Sequence, residues 1–127
     1  MNNNLVLLVA RILLAVMFID SGFGKFGDIA GTAGFIASKG LPIPTLAAWA
    51  TAIFEVAAGV AVIVGFQTRL AAYALALFCI ATAVIFHWDF GDFVQRLFFM
   101  KNLTIAGGML ALAAAGAGSI SVDAKRG

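Results

Sequence analysis

Six polar residues are candidates for chemistry in a sequence in which apolar side chains dominate. They are Arg11, Lys25, Glu55, His87, Lys101 and Asn102. Glu55 stands at the middle of the apolar stretch from Leu46 to Val64, and Arg11 interrupts an apolar stretch near the N-terminus. An ionisable side chain within hydrocarbon is costly, so by default it marks a site for a proton, an ion or a ligand. We therefore group the six as a candidate intramembrane site that binds a cofactor.

Glu55 lies on the face of its segment that carries small side chains. Residues three, four and seven positions apart share one face of a helix. The Glu55 face holds Ala48, Thr51, Ala52, Ala58 and Gly59, whereas the opposite face holds Trp49, Ile53, Val56, Val60 and Ile63. Small residues let helices approach closely in bilayers, so we expect Glu55 to point into a helix bundle. Burial then requires Glu55 to be protonated, paired with a cation or open to water.

Arg11 is the predicted partner of Glu55. If each residue stands near the middle of its own span, the two differ in depth by roughly 5 to 8 Å at a rise of about 1.5 Å per residue. An arginine side chain covers that distance. We therefore predict a buried pair of Arg11 and Glu55, or a water shared between them. In the alternative, Arg11 extends to the nearer lipid head groups and Glu55 is protonated.

The four other candidates stand towards one end of the predicted bundle. Lys25 follows Arg11 by four turns on nearly the same face, where it caps the bundle interior or contacts lipid head groups. His87 is the only histidine and ends a span. It is either an interfacial residue or a proton donor or ligand at the mouth of the bundle. Lys101 and Asn102 open the last span on the same membrane side.

Composition and length indicate an integral membrane protein. The chain has 127 residues, of which 63% are hydrophobic and 11% charged, and its mean hydropathy is +1.07. A helix needs about 20 residues to cross a bilayer, so four apolar segments take up most of the chain. We predict an all-α four-helix bundle that forms one transmembrane domain over residues 1–127. Its spans are expected at about 5–23, 46–64, 70–88 and 98–117.

The connections and the small residues predict how the spans are arranged. A short interfacial helix is expected between the first two spans, where Gly40 can end it and Pro42 forbids its continuation. The short connection from Gly65 to Arg69 makes the second and third spans neighbours. Small residues mark the packing face of the third span at Ala72, Ala76, Cys79 and Ala83, and that of the fourth at Gly107, Ala111 and Ala115.

Charge and cysteine content exclude several other classes of protein. A formal net charge of +2 with scattered basic residues does not predict a nucleic-acid partner. Cys79 is the only cysteine, so neither a disulfide framework nor a cysteine metal cluster is expected, and no metal site is predicted. The N-terminus lacks a basic region, which favours a retained first helix. Basic residues are balanced between the two sides of the membrane. The loops on the side opposite the termini also carry acidic residues, which favours termini in the cytoplasm.

Several motifs, in the same order along the chain, give a resemblance to a known family. They are VARILLAVMFIDSGFGKF, Glu55 followed by Gly59, GFQTR, Phe86 with His87, FMKNLTIAGG and GSISVD. With these motifs the chain resembles the DoxX family of bacterial four-helix membrane proteins, and in particular its small inner-membrane branch. The resemblance implies a multi-pass protein of the bacterial inner membrane. It supplies no set of catalytic residues.

Relatives in this family are associated with membrane redox assemblies, among them an archaeal thiosulfate:quinone oxidoreductase and a mycobacterial complex that joins a thiol enzyme to superoxide dismutase. The resemblance therefore implies a membrane subunit of a redox or oxidative-stress assembly, with quinone as the candidate cofactor and a soluble redox enzyme as the candidate partner. A scaffold that docks a soluble enzyme is the alternative. Transport of a small solute ranks last, because four short helices would enclose a pore only in a homo-oligomer.

Overall fold

The computed structural model describes residues 2–126, and every regular element within that range is a helix. The helices are α1 (Asn3–Gly27), α2 (Ile29–Ser38), α3 (Pro44–Val64), α4 (Thr68–Phe86), α5 (Phe93–Ala115) and α6 (Val122–Lys125). Four of them, α1, α3, α4 and α5, are long and apolar enough to cross a membrane. The predicted all-α architecture of four spans, with a short helix between the first two, is therefore confirmed.

Most helix boundaries lie within two residues of the predicted spans, and two extend further, each beside an acidic residue that caps the N-terminus of a helix. α1 continues to Gly27, where the side chain of Asp28 accepts a hydrogen bond from the first turn of α2. α5 begins at Phe93, five positions before the predicted start at residue 98, because Asp92 accepts hydrogen bonds from two amides of its first turn. A capping carboxylate satisfies amides that have no partner within the helix.

The four spans pack as two closely associated pairs. α1 packs along α3 and α4 along α5, while the contacts of α3 with α4 and of α1 with α5 are smaller. α2 lies against α3. The small faces predicted for the second and third spans are buried, at Ala48, Ala52, Ala58 and Gly59 of α3 and at Ala72, Ala76, Cys79 and Ala83 of α4. Glu55 is buried with them, so its predicted orientation into the bundle is confirmed.

The predicted packing face of α5 is wrong. Gly107, Ala111 and Ala115 are exposed, and a Cβ added at Gly107 would meet no atom within 4 Å. The buried residues of α5 are Ala106, Met109, Leu112 and Ala113. Met109 and Leu112 share one core cluster with the small residues of α4, whose face leaves room for larger side chains. In the α4/α5 pair, the small side chains of α4 therefore pack against the larger side chains of α5. Close approach needs small residues on only one of the two helices.

Gly22 of α1 and Gly59 of α3 allow these two helices to approach closely. A Cβ on Gly22 would lie 2.9 Å from the backbone oxygen of Ala52, and one on Gly59 would lie 2.9 Å from Cγ1 of Ile19. Neither position has room for a methyl group. The two glycines therefore fix the register in which α1 faces α3.

Gly22→Ala should destabilise the protein by about 1 to 3 kcal/mol, because the added methyl group forces the two helices apart. Gly24→Ala is the matched control, since a Cβ there would meet no atom within 4 Å. The control should be neutral or stabilising, because alanine favours a helix over glycine by up to about 1 kcal/mol. Thermal unfolding in detergent, followed by circular dichroism, measures both. Equal effects of the two substitutions would contradict the close packing of α1 on α3.

Candidate functional site

A cavity of about 440 Å³ lies among helices α1 to α5, at the end of the bundle that holds the C-terminus of α1. Its walls are mostly apolar and include the phenylalanines Phe18, Phe35, Phe78, Phe86 and Phe98. Five of the six candidate residues line it, namely Lys25, Glu55, His87, Lys101 and Asn102. Arg11 is not among the lining residues. The structure thus brings five of the predicted site residues together and separates the sixth from them.

Glu55 forms an ion pair with Lys25 in the wall of the cavity. Nζ of Lys25 lies 2.5 Å from Oε1 of Glu55 and also donates to Oγ of Ser21 at 3.0 Å. The side chain of Glu55 is 2% exposed and that of Lys25 is 27% exposed. Helical side chains point back towards the N-terminus, so the lysine reaches from the last turn of α1 to the level of Ser21. The lysine cation offsets the cost of burying the carboxylate.

The predicted pair of Arg11 and Glu55 is wrong, and the register of α1 against α3 gives the reason. Arg11 is level with Ile63, to whose carbonyl oxygen it donates a hydrogen bond at 2.8 Å. Ile63 lies just over two turns beyond Glu55, about 12 Å along α3 at about 1.5 Å per residue. The close contact at Gly22 places a later part of α1 opposite Glu55. Of the two roles predicted for Lys25, the structure shows that of a residue that caps the bundle interior, where it contacts Glu55.

The α5 side of the cavity carries Asn102 and Lys101. Nδ2 of Asn102 donates to the carbonyl oxygen of Phe98 at 2.9 Å, and its Oδ1 accepts a hydrogen bond from Oγ1 of Thr82 at 3.3 Å. Lys101 lines the cavity at its rim and is exposed. The cavity is therefore bounded by an ion pair on the α1/α3 side and by an amide and a second cation on the α5 side.

His87 lines the cavity and lies directly after the last residue of α4. Its Nδ1 is 2.8 Å from Oε1 of Gln95, and its ring packs against Phe98 with the ring centroids 5.3 Å apart. When Nδ1 carries the proton it donates to Gln95, and Nε2 is then free to accept a hydrogen bond. The position of His87 at the end of α4 agrees with the predicted place at the mouth of the bundle. A role of His87 in proton donation stays a prediction.

Of the four hydroxyl-bearing residues of the lining, the sequence reasoning placed Thr51 on the Glu55 face and missed Ser21, Thr32 and Thr82. Ser21 precedes Lys25 by one turn. Helical spacing alone could have found it. Thr82 could not be found in this way, because the sequence does not tell which face of α4 meets the cavity.

Arg11 binds the C-terminal segment at the opposite end of the bundle. Its guanidinium donates to the carbonyl oxygens of Ala117 at 2.6 Å, Ile120 at 2.8 Å and Ile63 at 2.8 Å. The residue is only 1% exposed, so the predicted alternative of an arginine that extends to the head groups is also wrong. The planar guanidinium, with several fixed donors, suits three acceptors at once. Arg11 thus ties the C-terminal segment to α1 and α3.

Asp123 fastens the same segment to the connection between α3 and α4. Its carboxylate accepts hydrogen bonds from the amides of Gln67 at 2.7 Å and Thr68 at 2.9 Å. Its own amide donates to the carbonyl oxygen of Gly65 at 2.8 Å. Burial alone would raise the pKa of Asp123, but the hydrogen bonds and the nearby Arg126 lower it below its ordinary value. The carboxylate also stabilises the N-terminus of α4.

Asp123→Asn should reduce the loss of stability in acid. A carboxyl whose pKa is lower in the folded than in the unfolded protein stabilises the fold above its ordinary pKa of about 4, and this stabilisation is lost as the pH falls through the lowered value. The unfolding temperature of the wild type should therefore fall further between about pH 6 and pH 3 than that of Asp123→Asn. Asp20→Asn, at an exposed position of α1, is the control and should behave as the wild type. Identical pH profiles of wild type and Asp123→Asn would contradict this role.

The lining of the cavity is typical of a small-molecule site, because apolar walls carry a few convergent polar groups. Lys25 and Asn102 can donate hydrogen bonds, and Glu55 can accept a proton. Within residues 2–126, no cluster of three or more His, Cys, Asp or Glu side chains could hold a metal ion. The donors of Lys25 and Asn102 suit a ligand whose oxygen atoms accept hydrogen bonds.

Comparisons with known proteins agree with the motifs and the fold. The family model described as DoxX matches residues 6–88, more than half of the chain. The chain is 43% identical over 119 residues to Inner membrane protein YqjF of Escherichia coli (strain K12), a match that covers 91% of this chain and 88% of the relative. It is 42% identical over 125 residues to Inner membrane protein YphA of the same organism, covering 94% of this chain and 89% of that relative. No solved structure matches the chain.

Proposed function

This chain belongs to the DoxX family of membrane proteins, and on that premise we propose that it is the quinone-binding membrane subunit of a redox assembly in the bacterial inner membrane. Both curated relatives carry the words inner membrane protein in their names, which supports the location. The redox assemblies associated with other members of the family support the class of function. In this proposal both termini face the cytoplasm, as the acidic loops of the other side favour.

The observation that carries the proposal is the ion pair of Lys25 and Glu55 in the wall of an apolar cavity. A volume of about 440 Å³ lies within the range of about 300 to 1,000 Å³ that is usual for small-molecule pockets. The head group of a quinone is a flat ring with carbonyl oxygens that accept hydrogen bonds. Phenylalanine side chains offer contact to such a ring, and Lys25 and Asn102 offer hydrogen bonds to its oxygens. The residues present thus fit this ligand class.

The residues of the chain have separate tasks in this proposal. A bound quinone would supply the redox chemistry, and a docked soluble enzyme would supply the electrons. Lys25 holds a ligand oxygen while it remains close to Glu55, and Glu55 holds or releases a proton beside that oxygen. The phenylalanine walls exclude water, which strengthens each of these polar interactions.

Titration of the purified protein with a short-tailed ubiquinone tests the proposal. Lys25→Met should weaken binding by about tenfold or more, since a hydrogen bond from a charged donor is worth about 1.5 to 3 kcal/mol. Lys125→Met, at an exposed position in α6, is the matched control and should bind as the wild type does. Absence of binding in the wild type, or equal affinities of the wild type and Lys25→Met, would contradict the proposal.

The scaffold alternative predicts a different pattern in the same preparation. A scaffold would retain its soluble partner enzyme without any quinone, and Glu55→Gln would weaken assembly while leaving the intrinsic turnover of that enzyme unchanged. A quinone site instead predicts that substitutions at the ion pair change quinone affinity in the isolated subunit. The two functions can therefore be separated without prior identification of the partner.

A further inference from the structure

We propose that the cavity opens sideways into the bilayer between α1 and α5, and that its ligand is a membrane-resident molecule whose tail leaves through this opening. This inference rests on the proposed function, because it takes the ligand to be a quinone. It adds that the quinone carries a long isoprenoid tail and enters from the hydrocarbon rather than from water.

The contact between α1 and α5 is closed at one end and open at the other. Gly108 packs against Leu14, since a Cβ added at Gly108 would lie 2.9 Å from Cδ2 of the leucine. The cavity begins on the side of this contact that leads towards the C-terminus of α1 and the N-terminus of α5. The overall contact of α1 with α5 is smaller than that of either helix with its closely packed partner. The two helices therefore separate from the Leu14 contact towards the ion pair.

Met17 of α1 and Phe98 of α5 mark the opening itself. Both residues line the cavity and are also exposed, Met17 at 43% and Phe98 at 42%, as is Phe35 of α2 at 49%. A side chain that contacts both the cavity and the surroundings stands at a gap in the wall. Met17 lies near the middle of α1, so this gap begins at hydrocarbon depth when α1 spans the bilayer.

The chemistry of the opening fits an apolar tail. Its two edges are a thioether and a phenyl ring, and one turn before Met17 the exposed surface of α1 carries the apolar residue Leu13. The polar groups lie deeper, at Lys25 and Glu55. A molecule that fills the site from the bilayer therefore brings its polar ring inwards and leaves its apolar part outwards.

The size of the cavity supports the same conclusion. A volume of about 440 Å³ has room for a substituted ring and the first part of a substituent. A tail of many isoprene units does not fit in addition to the ring. Transfer of such a tail from the bilayer into the protein gains no hydrophobic free energy, because lipid chains are as apolar as the cavity walls. The tail would therefore pass between Met17 and Phe98.

Cysteine protection in lipid nanodiscs tests this opening. Met17→Cys and Phe98→Cys are labelled with a lipid-soluble maleimide, with and without ubiquinone-8, and bound quinone is measured in the same samples. Leu13→Cys and Met100→Cys are the matched controls, because these positions are exposed on the same two helices but do not line the cavity. The native Cys79 is buried at 1% exposure and should not react. At a quinone concentration ten times the dissociation constant, labelling at the two edge positions should slow by about tenfold, and that of the controls should not change.

The outcomes separate the opening from the function on which it rests. Quinone binding with protection at Met17→Cys and Phe98→Cys supports both. Quinone binding without protection at either position overturns the opening and leaves the quinone site intact. Absence of quinone binding in the wild type and in the control variants overturns both proposals.

Discussion

Arg11→Met should lower the free energy of unfolding by roughly 3 to 5 kcal/mol, the sum over several buried acceptors that lose their donor, which is the largest effect that we expect from a single substitution. The guanidinium donates to the carbonyl oxygens of Ala117, Ile120 and Ile63, and the side chain is almost fully buried. Methionine has a similar volume but no donor, so all three acceptors lose their partner. A buried polar group without a partner costs about 1 to 3 kcal/mol. Unfolding by titration with a denaturing detergent, followed by circular dichroism, measures the change.

Arg69→Met is the matched control for Arg11. Arg69 also donates to backbone carbonyl oxygens, those of Ala113 and Ala114, both at 2.9 Å. Arg69 is exposed, so water can replace its hydrogen bonds when the side chain is removed. Its loss should cost about 1 kcal/mol or less. If the two substitutions were equally mild, Arg11 would not hold the C-terminal segment in the way the structure indicates.

Lys25→Met should cost about 3 kcal/mol, because it leaves the carboxylate of Glu55 buried without a cation. The carboxylate is 2% exposed and its only ion pair within residues 2–126 is with Lys25. The double variant Lys25→Met with Glu55→Gln should recover most of this loss and unfold within about 1 kcal/mol of the wild type, since removing both charges also removes the cost of burying them. Detergent titration of both single variants and the double variant gives the coupling energy.

The matched control for this cycle is Lys125→Met with Asp20→Asn, two exposed charges on separate helices. Their effects should be small and additive. Additive effects at Lys25 and Glu55 would mean that the two side chains do not depend on each other, and the assignment of Lys25 as the partner of Glu55 would then fail.

The inward orientation of Glu55 could be predicted from sequence because it depends on one helix alone. The spacing of small residues around Glu55 defines a face, and a membrane helix packs such a face against its neighbours. The same reasoning located the buried face of α4. It failed on α5, where Gly107 is exposed and Met109 is buried. A face of small residues on one helix is sufficient for close packing, so the partner helix need not carry another.

The partner of Glu55 could not be predicted in the same way, because it depends on the register between two helices. That register follows from the close contacts of Gly22 and Gly59 and from the extension of α1 to Gly27. The prediction centred each span on its own middle and so placed Arg11 within roughly 5 to 8 Å of the depth of Glu55. In the structure this offset is about 12 Å, roughly one turn more, which moves Arg11 to the C-terminal segment and brings Lys25 to the acid. The sequence thus identified Arg11, Lys25 and Glu55 as candidates, but the ion pair predicted from it was the wrong one.

Native mass spectrometry of the protein extracted from its own membranes in mild detergent is the most direct test of the cavity as a quinone site. The wild type and the Lys125→Met control should each carry the added mass of one quinone. The double variant Lys25→Met with Glu55→Gln, which should remain folded, should carry none. A wild type without bound quinone, or a double variant that retains quinone to the same extent, would contradict the account.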